Sequence, residues 1–102
     1  MLELRPTCEH CNKALPPEST EARICSYECT FCASCVETVL ANVCPNCGGG
    51  FVPRPIRPAA NWKGGNYLGK DPASTKVKHR PVDRAAHAEL SARLKGIPPE
   101  KR

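Results

Sequence analysis

Residues 25–47 read CSYECTFCASCVETVLANVCPNC and hold six of the chain's eight cysteines. The other two, Cys8 and Cys11, form a matching pair upstream in TCEHCN. Two cysteines separated by two residues are a compact metal grip, because the short turn between them aims both sulfurs at one point. In order, the pairs are Cys8 and Cys11, Cys25 and Cys29, Cys32 and Cys35, and Cys44 and Cys47. Eight ligands suffice for two tetrahedral four-cysteine sites, and all-thiolate tetrahedral coordination selects zinc over harder ions. His10, between two ligands, is expected to point outward rather than to ligate. A pair that enters an amphipathic helix shares its metal with an earlier knuckle when the helix start faces the hairpin tip. That matches Cys8 and Cys11 with Cys32 and Cys35, and Cys25 and Cys29 with Cys44 and Cys47, an interleaved cross-brace. Sequential matching, with Cys8, Cys11, Cys25 and Cys29 on one ion, is the alternative that spacing leaves open.

Composition favours metal over disulfides. All the cysteines fall before residue 48, and the 102 residues include only five aromatics. A segment of about 50 residues buries too little apolar surface to fold without a staple. The opening MLELRPTCEH carries no secretory signal, and no apolar run approaches a membrane span. The expected setting is therefore the reducing cytoplasm, where clustered cysteines hold metal.

Around the cysteines, Leu2 and Leu4 alternate with charged residues, as in an arm laid on a core. Ala22–Cys29 reads as a short strand and turn, with Ile24, Tyr27 and Phe31 as core candidates. Val36, Val39, Leu40 and Val43 repeat at i, i+3, i+4 and i+7, the apolar face of a short helix that Asn42 would end. Pro45 shapes the last turn, and Gly48–Gly50 permit positive φ after it.

With these residues in view, the spacing and the closing Cys44-Pro45-Asn46-Cys47 resemble a RING finger, with Cys29 where the usual histidine stands. Residues 1–58, from MLELRPTCEHCNKALPP to CPNCGG and RPIRP, resemble a bacterial family of small cysteine-rich proteins of unknown function. The resemblance implies a small metal-stabilised α+β fold, RING-like or treble-clef, cross-braced on two zinc ions, with one short helix and short strands. RING ubiquitin ligases hold a conjugating enzyme in a shallow groove, and steady ubiquitin with a basic residue after the last ligand. The corresponding positions here are His10, Val39, Pro45 and Gly48, of which Pro45 alone fits. The expectation is shared metal architecture without ligase activity.

Charge divides the chain. Residues 1–50 carry three basic and six acidic side chains, and residues 51–102 carry twelve and four. Two zinc ions on eight thiolates would take the first part, residues 1–52, to about −7, facing a basic tail. Residues 53–82 read as a Pro/Gly-rich basic linker, largely disordered, and 83–97 as a short helix ending at Gly96. Arg54, Arg57, Trp62, Lys63, Tyr67, Lys76, Lys78 and Arg80 interleave charge and aromatics, a candidate surface for single-stranded nucleic acid. The plainer reading of these residues is a solvated tail.

No catalytic constellation is evident. Paired cysteines leave no open coordination position, and His10, His79 and His87 lie at unrelated places. The chain reads as a non-catalytic zinc module that presents a surface to a protein, or to nucleic acid through its tail. A metallothionein-like store and a redox-sensing zinc switch are the alternatives from other classes, and neither needs a membrane.

Overall fold

Three residues separate Cys25 from Cys29 because they form the turn of a hairpin. In the computed structural model, which describes all 102 residues, β1 (Ala22–Ile24) pairs antiparallel with β2 (Thr30–Cys32). The Glu28 amide donates to the Cys25 carbonyl at 3.0 Å, and Glu28 takes a left-handed φ of 65°. The Cys25 amide then donates to the Cys29 carbonyl at 3.2 Å, closing a tight turn with a one-residue bulge. β3 (Val52–Pro53) pairs with the free edge of β1, so the sheet order is β2-β1-β3.

β2 runs directly into α1 (Ala33–Cys35), one α-helical turn that widens into a π-helical segment, Val36–Leu40. Val36, Leu40 and Val43 are buried and Val39 is half-buried. The apolar spacing thus meets the core, although an α-helix does not run the whole length. Left-handed Ala41 and Asn42 end the segment, and the Asn42 amide returns to the Val36 carbonyl at 3.1 Å. The Asn42 side chain then accepts the Phe51 amide at 2.9 Å, tying the helix end to the approach of β3.

The two knuckles are built alike. Cys8 and Cys44 each donate their amide to a carbonyl five residues on, Lys13 and Gly49, at 2.9 and 2.8 Å. Each also accepts on its own carbonyl from the residue after the second cysteine, Asn12 or Gly48, at 3.0 and 2.8 Å. Both of those residues have positive φ, 62° and 77°. Asparagine and glycine tolerate that region best. A Cβ at Gly48 would also stand 2.9 Å from Leu94 Cδ1. Gly48→Ala is therefore expected to cost about 1–2 kcal/mol of stability, measured by chemical denaturation of the metal-loaded protein.

The main core cluster contains eleven buried residues, and six of them are cysteines. Leu15, Ala22, Phe31, Val36 and Leu40 supply the rest, and Phe51 stacks edge-on against Phe31 at 5.5 Å. Tyr27 corrects the sequence expectation: it sits on the hairpin tip, 73% exposed, because the turn rather than the strand sets its direction.

The second half of the chain is not a disordered tail. Its backbone is laid over the first half by polar contacts. Arg54 donates to the carbonyls of Arg5, Leu15 and Pro16 at 2.9, 3.2 and 3.0 Å. Arg57 reaches the Leu2 carbonyl at 2.8 Å, and the Ser74 amide reaches Leu4 at 3.0 Å. α2 (Arg84–Leu94) starts at Asp83, whose side chain accepts the Ala85 and Ala86 amides. A 3₁₀ turn, Pro99–Lys101, precedes Arg102.

Candidate metal centre

Three elements meet at the first group of thiols. The first knuckle brings Cys8 and Cys11, the end of β2 brings Cys32, and the end of α1 brings Cys35. Their sulfurs all lie within 4.8 Å of one another, and all but Cys11 are buried. Cys11 and Cys32 are 3.8 Å apart at Sγ, far beyond a disulfide bond of about 2.05 Å. With Zn–S bonds of about 2.3 Å, the edge of a regular tetrahedron is about 3.8 Å. The donor set and the spacing both suit one zinc ion.

The second group joins Cys25, at the start of the hairpin turn, to Cys44 and Cys47 of the second knuckle. Cys25 Sγ accepts the Tyr27 amide at 3.3 Å, and Cys47 Sγ accepts the Gly49 amide at 3.4 Å. Backbone donors two residues along stabilise negative charge on sulfur. Cys29 lies beside Cys25 and Cys44, but it does not come within 4.8 Å of all three members of the group. Asn46 Nδ2 donates to its sulfur at 3.5 Å instead. The structure therefore gathers seven of the eight candidate ligands into two groups and leaves the eighth alongside.

The first pair groups with the third, and Cys25 of the second pair groups with the fourth. The clusters therefore fit the interleaved, cross-braced spacing rather than the sequential one. Burial pushes the thiols of Cys29, Cys35 and Cys44 up, so without a cation they stay protonated at neutral pH. A bound dication would reverse that preference.

Glu9 is the residue at this centre that sequence reasoning passed over. Buried between Cys8 and His10, its carboxylate accepts the Thr30 amide at 2.6 Å and Arg5 Nη1 at 2.8 Å. The Glu9 amide donates to the Thr30 carbonyl at 3.0 Å. Glu9 thus clamps the first knuckle to β2. Its spacing from Arg5, four residues away, was the one local signal. His10 does not enter the thiol group, and its Nδ1 accepts the Val82 amide at 2.9 Å. Of the candidate nucleic-acid residues, Arg54 and Arg57 are spent on intrachain carbonyls. Tyr67 is half-buried, while Trp62, Lys63, Lys76, Lys78 and Arg80 are exposed.

Fold and site together define a small α+β protein whose core is built around two cysteine groups able to hold metal ions. The chain belongs to the family described as a protein of unknown function (DUF1272), which matches residues 1–57. It is 57% identical over 75 residues to an uncharacterised protein of Rhizobium meliloti (strain 1021), covering 74% of this chain and 82% of that one. No solved structure matches the chain significantly. No helix is long and apolar enough to cross a membrane.

Proposed function

We propose that this chain is a non-catalytic zinc protein whose two thiolate centres fold a RING-like, cross-braced module that works by presenting a surface to a protein partner. The observation that carries the reading is the first group, four thiols from three separate segments within 4.8 Å of one another. Four thiolates close the coordination sphere of zinc and leave no position for a substrate or an activated water. At the second centre Cys25, Cys44 and Cys47 would hold the ion, and rotation of the neighbouring Cys29 side chain would complete the tetrahedron. Free thiols in two such groups suit a reducing compartment such as the cytoplasm. The two separate groups speak against a metallothionein-like store, whose ions share bridging sulfurs. A nucleic-acid surface would have to draw on Trp62, Lys63, Lys76, Lys78 and Arg80 without the help of Arg54 and Arg57.

The test is zinc per chain on protein purified under reducing conditions without added metal. The expected result is two ions, and one on Cys44→Ser. Three or four ions would move the reading to storage, and none in the folded, reduced protein would overturn it.

A further inference from the structure

We propose that the segment from Arg80 to Arg102 is a latch that closes over both knuckles and slows the loss of their metal, an inference that rests on the two-zinc reading above. Its polar anchors all meet the knuckles or their flanks, and Val82 adds an apolar contact with the core cluster. The Arg80 amide donates to the Glu9 carbonyl at 2.8 Å, and the Val82 amide to His10 Nδ1 at 2.9 Å. His87 Nε2 lies 2.8 Å from the Val43 carbonyl, immediately before Cys44. Arg102 Nη1 donates to the Asn42 and Gly48 carbonyls at 2.8 and 3.1 Å, bracketing the second knuckle. Glu9 and His10 lie between Cys8 and Cys11, so the one segment touches both candidate centres.

The latch has little cohesion of its own. Within the eleven residues of α2 only His87 and Ser91 are buried, and both are polar. A helix this short with so small an apolar face is marginal by itself. Clefts of about 280 and 270 Å³ flank it, the first reaching Phe31 and Pro45 and the second Val39. What seats the latch is therefore the packing of Val82 on the core together with a set of acceptors that the knuckles place, and a knuckle is placed by its metal. Coupling of this kind is reciprocal. If metal-loaded knuckles hold the latch best, the seated latch holds the metal-loaded knuckles, and an ion leaves only when a knuckle opens.

The experiment uses the full chain and its variants His87→Ala/Arg102→Ala and His87→Gln. Zinc per chain is measured first. Transfer of zinc to an excess of a chromogenic chelator is then followed in time, with trypsin cleavage after Arg93 on the same samples. The double variant is expected to keep two ions, to be cut faster at Arg93 and to release zinc about tenfold faster, the scale of one or two net hydrogen bonds. His87→Gln, whose amide can reach the Val43 carbonyl, is expected to stay within about twofold of the parent rate. Should the double variant lose an ion outright, His87→Ala alone is read on the same scale. Faster cleavage with an unchanged release rate would overturn the latch, and so would a double variant as resistant to trypsin as the parent. A parent chain without zinc would overturn the two-zinc reading and the latch with it, and the initial stoichiometry separates that case from the others.

Discussion

Withdrawing zinc from the reduced chain with a strong chelator is expected to unfold it in one step, with loss of the helical and sheet signal in circular dichroism. The reason is the make-up of the core, in which six of eleven residues in the main cluster are cysteines. Leu15, Phe31, Val36 and Leu40 cannot offset the chain entropy of a domain this size alone. Structural zinc contributes about 10–16 kcal/mol in small zinc-binding peptides, which matches or exceeds the whole stability of an ordinary domain. Cys32→Ser is expected to act nearly as strongly, since Cys32 ends β2 and begins α1, so losing it unties two elements. Its readout is one zinc ion per chain with no cooperative transition. A chelated chain that keeps its secondary structure and melts cooperatively would refute the metal-built core.

The dependence on pH has opposite signs with and without the ion. In whatever fraction of the zinc-free chain is folded, burial raises the thiols of Cys29, Cys35 and Cys44. A raised thiol supports the fold below its ordinary value, and that support is lost as pH rises through the folded value. With zinc bound the thiolate is the required form, protons compete with the metal, and stability falls as pH falls. Acid titration of the loaded protein is thus expected to release zinc and unfold the chain together.

Legibility from sequence followed the range of the interactions. The knuckles could be read because the paired cysteines and the glycines that follow Cys47 are local features, whereas the left-handed Asn12 emerged only in the fold. The apolar spacing from Val36 to Val43 pointed to a helix, and Asn42 to its end. The widening over Val36–Leu40 was invisible, because the apolar spacing of VETVL suits an α-helical and a π-helical turn alike. Tyr27 was misplaced because an aromatic side chain in so small a domain reads as core, whereas the hairpin turn carries it outward. The offset of Cys29 was equally hidden, since the left-handed Glu28 before it turns the chain. The second half was misread for a different reason. Its composition is that of a solvated tail, and its anchors lie far away in sequence, as with Arg57 to Leu2, 55 residues off, and Arg102 to Asn42, 60 residues off. No local pattern announces a backbone carbonyl as a partner.

Arg54→Met is expected to destabilise the metal-loaded protein by about 1–3 kcal/mol, the cost of leaving one buried and two part-buried carbonyls without their donor. In sequence, Arg54 belongs to a proline-spaced basic run and reads as a contact for an external polyanion. In the fold it is 3% exposed, immediately after β3, and its guanidinium gathers the carbonyls of Arg5, Leu15 and Pro16. No carboxylate pairs with it, and burial pushes its pKa down. Two effects therefore compete on substitution. Removing an unpaired buried cation relieves desolvation, which favours the variant, while three carbonyls 38–49 residues away lose their donors. The second effect should win at the Leu15 carbonyl, which is buried and which a methionine covers without offering a proton, while the part-buried carbonyls of Arg5 and Pro16 lose less. Arg54→Lys separates charge from geometry. A single ammonium keeps the cation but cannot present the planar fork that spans three acceptors, so it is expected to recover less than half of the loss. Urea denaturation with zinc present checks both variants. An Arg54→Met protein within 0.5 kcal/mol of the parent, a difference on the order of an ordinary surface substitution, would return Arg54 to the surface role its sequence suggests.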